Sequence, residues 1–296
     1  MKILKYSINI ILSFLIVFAI ILVIATNILN NKALNKDYIF SKMEESEFYL
    51  QMSREVESGF ENYIYQSGLP EDTIKNLFTE DMIKKDANSL INYLYDGTEI
   101  KLSSDLLRAN LDAKIQEYIK TQNITLNEQS SQNIKQFENL IVNEYDKNIN
   151  ISNTLYEKGH EIIELVQKIS DKIGNLPIIL LVVLIIILII VNMKELLVPI
   201  NFLGISLLTT GILLKIGINV IFTNIEIDNL MLMTKSLSNL IITIVKENLY
   251  MISDYGNIFV ICGITGILMS AILGNLKPIE EKIKKPKRRF SGTKNI

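Results

Sequence analysis

Lys215 is the residue whose surroundings ask most for an explanation, because it is the one cation in an apolar run that extends from Pro199 to Phe222. A charge in hydrocarbon needs a counter-ion, a route to water or a way out to the interface. Thr210 and Asn219 share that run, as do Asn201, Ser206 and Thr209. Such a set is able to line a polar path for an ion or small solute. The plainer reading is steric. Lys215 lies seven residues from Phe222, roughly 10 Å at helical rise, and its long stem reaches the interface from there.

A second pattern is mechanical. Cys262, Gly266, Ser270 and Gly274 recur every four positions of the last apolar run. Small residues in register let a second membrane helix approach closely, with the third run (Gly204, Ser206, Thr210, Gly211, Gly217) or another protein as the expected partner. His160 stands alone beside Gly159, without the companions that a zinc site requires. The acids Glu44, Glu45, Glu47, Glu71, Asp72, Glu80 and Asp81 lack the alternating loop of a calcium site and read as solvated faces and helix starts. Lys284, Lys285, Lys287, Arg288 and Arg289 form a basic tail directly after an apolar run. Headgroup attraction and topology explain such a tail without nucleic acid.

Signatures of catalysis are missing from the sequence: it has no phosphate-binding glycine loop, no Gly-x-Ser-x-Gly and no His-Glu-x-x-His. Cys262 is the only cysteine, so no intramolecular disulfide forms. The expectation is a non-enzymatic chain with no metal or cofactor. Asn123 and Asn150 head formal glycosylation triplets, which carry no meaning in a bacterial chain. The wealth of Ile, Asn and Lys with no Trp suggests an AT-rich bacterial genome.

The elements that must hold these residues follow from segregation of charge and hydropathy. Mean hydropathy is positive although 21% of residues are charged, so the two kinds occupy different stretches. About 20 apolar residues cross about 30 Å of hydrocarbon. Four stretches qualify: Ile8 to Ala25, Leu176 to Val191, Leu196 or Pro199 to Phe222, and Ile258 to Leu276, the middle two joined by a tight turn at Asn192 to Glu195. The tail after the fourth carries eight Lys and Arg against two acids, whereas residues 29–174 carry 16 against 25. Basic flanks stay cytoplasmic, so both ends are expected inside and residues 29–174 outside. A signal peptide cut after Ala25 is the competing reading of the first run; the rest of the topology is unchanged by it.

Between the first two spans apolar residues recur at helical spacing. Phe48, Met52, Val56, Phe60 and Tyr63 or Ile64 make one stripe. A short helix is expected over 71–78, then one capped by Thr79 and closed by Gly97 with Ile83, Ala87, Leu90, Ile91 and Leu94 inward, then one from Ser103 or Ser104 with Leu107, Leu111, Ile115, Tyr118 and Ile119 inward. These last two are expected to form a small distal head. The return segment, Ile134 to Ile173, has a heptad-like seam interrupted at Asn148, Ser152 and Gly159. It is the second leg of an antiparallel stalk whose legs continue the first two spans. Residues 224–256 predict a separate amphipathic helix, on the membrane or on the stalk, with Leu230, Met233, Leu237, Leu240, Ile241, Ile244, Val245 and Ile252 on its apolar face.

The sequence therefore predicts an all-α integral membrane protein with four transmembrane helices and an extracytoplasmic helical stalk or bundle inserted between the first and second. Its parts are 1–28 (first span), 29–174 (outer domain), 175–193, 196–222, 223–256 (outer amphipathic helix), 257–276 and 277–296 (cytoplasmic tail). An accessory, scaffold or sensing subunit of a bacterial cell membrane fits best, with the bilayer and another membrane or envelope protein, or a second copy, as partners. A transport or lipid-handling component built on the third span is the alternative.

Overall fold

A computed structural model describes residues 2–67, 69–70, 75–149, 153–224, 227 and 234–284, and among them all regular structure is helical. The helices are α1 (Lys2–Ile28), α2 (Lys36–Glu45), α3 (Phe48–Ser67), α4 (Glu80–Asp96), α5 (Ser104–Thr121), α6 (Glu128–Ile149), α7 (Asn153–Ile173), α8 (Leu176–Val191), α9 (Leu197–Asn224) and α10 (Lys235–Lys284), with a π-helical turn at Leu29–Ala33. Four of the helical stretches are long and apolar enough to cross a membrane. The chain divides into two compact units, Asn27–Ile173 with Glu226–Asn248, and Met1–Thr26 with Gly174–Ile225 and Leu249–Ile296.

The second of these, the apolar unit, is built from α1, α8, α9 and most of α10. Pro177 opens α8 in its first turn, where a missing N–H costs nothing. The 16 residues of α8 give only about 24 Å, so a full crossing needs flanking residues such as Ile173 as well. Helices α9 and α10 run antiparallel. Gly204 lies on Gly263 and Gly211 on Gly256, and the Ser270 hydroxyl donates to the Leu197 carbonyl at 2.9 Å.

The first unit is a helical bundle. The α3 stripe Phe48, Met52, Val56, Phe60 and Ile64 is buried, as are Ile83, Leu90, Leu107, Leu111 and Ile115. Phe60 stacks on Phe78 at 4.8 Å, and Phe78 on Tyr145 at 5.7 Å. Local chemistry sets the boundaries. Asn35 accepts from Tyr38 N–H to start α2, and Thr79 from Met82 N–H to start α4; such oxygens satisfy donors that the first turn leaves free. Asn127 accepts from Ser130 N–H at the start of α6. Gly97, at φ +66°, closes α4 in the left-handed conformation.

Several expectations change. Residues 71–74 lie outside the described residues, and 75–78 form turns with Asn76 at φ +59°, a conformation that stops a right-handed helix. The expected 71–78 helix is therefore absent from its described half, although Leu77 and Phe78 are core residues. The first span does not run on unbroken: the π turn ends at Leu34 and α2 starts afresh from Asn35. Gly174, at φ +45°, separates α7 from α8. Helices α4 and α5 do not form a separate head, since α4 packs along α3 and α7 and α5 along α6. The 224–256 segment is no separate helix either. One helix, α10, covers Lys235–Lys284, and its first turns join the bundle core through Leu240, with Leu237 and Ile244 packed against it. No Gly, Pro or left-handed residue interrupts Lys235 to Tyr255, so nothing ends the helix there.

Candidate functional site

In the apolar unit, polar side chains gather between α1, the turn after α8, and α9. Asn9 and Asn192 exchange amide hydrogen bonds at 3.1 and 2.8 Å, and Asn192 also donates to the Leu188 carbonyl at 2.8 Å. One turn on, the Ser13 and Ser206 hydroxyls are 2.6 Å apart, with the Phe202 carbonyl 2.9 Å from Ser206 Oγ. Thr210 donates to the Ser206 carbonyl at 2.8 Å. All five side chains are buried. Each is satisfied by protein, which in hydrocarbon is the arrangement that joins helices, at about 1 kcal/mol per bond. Lys5 and Glu195 form an ion pair at 3.4 Å.

The residues singled out on the third span are not brought together. Thr210 is buried, its hydroxyl turned back on its own helix, whereas Lys215 and Asn219 are exposed. Lys215 Nζ donates to Asn257 Oδ1 on α10 at 2.8 Å. The fourth-span ridge is divided as well. Gly266 and Ser270 face α9 and Gly274 touches Leu197, but Cys262 is exposed. Steps of four advance about 40° beyond a full turn each time, so a four-residue ridge drifts off the contact. The line that does follow it is Gly256, Gly263, Ser270, every seven residues. Of the basic tail, α10 reaches Lys284. The side chain of Lys284, and Lys285, Lys287, Arg288 and Arg289, lie outside the described residues.

The bundle holds a buried carboxylate at its centre. Asp86 accepts from Ser103 N–H at 2.9 Å, from Ser103 Oγ at 2.6 Å and from the Tyr145 hydroxyl at 2.7 Å. It ties α4 to the start of α5 and to α6. Of the two expected caps of α5, Ser103 or Ser104, Ser103 takes the cap position, but its hydroxyl donates to Asp86 and makes no capping bond. Two further acids act across helices: Glu55 of α3 accepts from Ser236 N–H at the start of α10 at 3.1 Å, where the helix dipole favours an anion, and Glu247 pairs with Lys42 at 2.7 Å. Glu247 and then Glu45 hold the Lys42 ammonium above its usual range. His160 Nδ1 lies 3.0 Å from the Leu94 carbonyl, one of the last-turn carbonyls that α4 cannot satisfy itself.

Burial, followed by Asp86, pushes the Tyr145 phenol far above its usual range. Burial and then Glu44 push Tyr49 up to about 12. Unfolded tyrosines lose their protons near pH 10, so above that point the unfolded chain binds fewer protons than the folded one. Stability is therefore full below pH 10 and falls above it, by about 1.4 kcal/mol per pH unit for Tyr145. Urea unfolding of the full chain between pH 8 and 11 is expected to show this fall, with a shallower slope in Tyr145→Phe; an unchanged slope in the variant overturns the assignment.

Beside this network the bundle leaves an apolar cavity of about 230 Å³, lined by α2, α3, α4, α6, α7 and the first turns of α10.

Helix α7 presents two different faces. One is bound into the bundle through Tyr156, His160 and Ser170, whose side chains bond the Ile149 carbonyl, the Leu94 carbonyl and Asn30. The other carries Ile162, Leu165, Ile169 and Ile173, with Ile162 and Leu165 62% and 59% exposed. Neither protein-family models, nor curated proteins, nor solved structures give a match to this chain.

Proposed function

We propose that the chain is a non-enzymatic, multi-pass protein of a bacterial cell membrane, an accessory or sensing subunit whose helical bundle lies outside, with both termini cytoplasmic. The bundle associates through α7 with a second copy of the chain. The carrying observation is the exposed stripe of α7. Ile162, Val166, Ile169 and Ile173 follow alternating four and three spacing, which is the pattern that a neighbouring helix packs against. The acidic 29–174 segment and the basic tail support the orientation.

Single cysteines at Ile162 and Ile169, in a Cys262→Ser background, are expected to give disulfide-linked homodimers on oxidation in intact cells. Cysteines at Glu161 and Lys168, off the stripe, serve as controls. A membrane-impermeant maleimide is expected to label Lys168→Cys and to spare Ser291→Cys until cells are opened. Equal crosslinking at stripe and control positions, or crosslinking only to a different protein, rejects the self-association; labelling of Ser291→Cys in intact cells rejects the topology.

A further inference from the structure

We propose that the bundle cavity is a binding site for one uncharged aliphatic chain. The wall is built from side chains such as Met52, Ile83, Ala87, Leu90, Leu237 and Thr234. Water is a poor occupant, because its partners are already used. Thr234 Oγ1 accepts from Leu237 N–H at 3.2 Å and lies 3.3 Å from Ser236 Oγ, and the one phenol on the wall, Tyr156, donates to the Ile149 carbonyl. A buried water needs two to four polar partners, and a dry apolar cavity of only about 150 Å³ already admits a benzene-sized guest.

Shape and charge narrow the class. Lining residues on α4 run from Ile83 to Leu94, about 16 Å of helix, so 230 Å³ is spread along a narrow bore. A single chain fits such a bore better than fused rings. At about 30 Å³ per water-sized group the space takes roughly eight heavy atoms. Among the described residues that line it there is no lysine or arginine, and the Glu55 carboxylate is bonded to Ser236 beside Thr234. An anionic head is therefore disfavoured and a neutral one accepted.

The site does not depend on the α7 contact, and its test reads a different quantity. The full chain in lipid nanodiscs is heated with increasing 1-octanol or sodium octanoate, alongside Ala87→Phe, which fills the bore. For the wild type, 1-octanol is expected to raise the unfolding midpoint saturably by roughly 5–10 °C, octanoate by less, and Ala87→Phe to stay flat. The variant in the same nanodiscs removes any effect of octanol on the bilayer. If Ala87→Phe does not fold, Ala87→Leu replaces it. Equal responses of wild type and variant, or stronger stabilisation by octanoate, overturn the proposal. Native mass spectrometry of the chain as purified separates the sources: an adduct of phospholipid mass assigns the site to a lipid tail, and one of single-chain mass to a free alcohol or ester. Absence of both an adduct and an octanol shift also overturns it.

Discussion

Replacing Gly263 with alanine is expected to drive α9 and α10 apart and destabilise the apolar unit by about 3 kcal/mol or more, at or above the upper end of ordinary overpacking. A methyl group built on Gly263 meets the Leu208 nitrogen at 2.5 Å, the Gly204 carbonyl oxygen at 2.7 Å and Leu208 Cα at 2.8 Å. All three are backbone, so no side-chain rotation makes room and the helices must separate. Separation also loosens Gly211 on the Gly256 carbonyl, and stretches the Ser270 to Leu197 hydrogen bond. Helices in lipid lack a hydrophobic force to pull them back together, because association there rests on close packing and interhelical hydrogen bonds. Alanine is itself the better helix former by about 1 kcal/mol, and Gly217→Ala isolates that gain, since nothing lies within 4 Å of its added carbon. Equilibrium unfolding in bicelles should place Gly217→Ala at or slightly above wild type and Gly263→Ala well below it. Agreement of the two within about 0.5 kcal/mol, the usual range of an uneventful surface change, would show that the backbones are not in contact.

That contact shows which parts of the structure can be read along the chain. Apolar run length gave the four long helices, because crossing distance and helical rise are fixed quantities. The stripe from Phe48 to Ile64 and the inward faces of α4 and α5 were equally legible, since burial follows helical period. Pairings between distant segments were not. Asn9 and Ser13 look like ordinary polar interruptions of the first span, and only their partners, Asn192 and Ser206, make them a seam between helices. A search at four-residue spacing finds Cys262 and passes over Gly256, although the seven-residue series Gly256, Gly263, Ser270 is equally present in the sequence. The continuity of α10 was hidden for another reason. Its composition changes from amphipathic to largely apolar near Gly256, and a change of surroundings resembles a change of element. The bundle cavity has no local signature at all, because it is a deficit of volume among side chains from six helices. The α7 stripe is the reverse case. Its heptad-like spacing was plain, but whether it closes inside the bundle or outside depends on which face Tyr156, His160 and Ser170 turn inward.

Truncating Asp86 to alanine is expected to cost the bundle about 3 kcal/mol or more, because it strands three buried donors. Asp86 is fully buried, and it is held by three donors: Ser103 N–H, Ser103 Oγ and Tyr145 OH. Alanine leaves all three without an acceptor, each at about 1–3 kcal/mol when buried, and relaxation of the Ser103 hydroxyl recovers part of that. Asp86→Asn keeps one oxygen and loses less. Tyr145→Phe in the native background removes one donor from a carboxylate that retains two, and is expected to cost about 1–2 kcal/mol. The informative measurement is the double variant. Once Asp86 is alanine, the Tyr145 hydroxyl is a buried donor with nothing to bond, so changing it to phenylalanine should cost nothing or restore stability. The sign of the Tyr145→Phe effect is thus expected to depend on residue 86, with a coupling of about 1–3 kcal/mol between the two sites. Additive effects would mean that the phenol and the carboxylate do not share the bond at 2.7 Å. The tie from α4 to α6 at this point would then rest on apolar packing, with the Ser103 bonds to Asp86 still holding the start of α5.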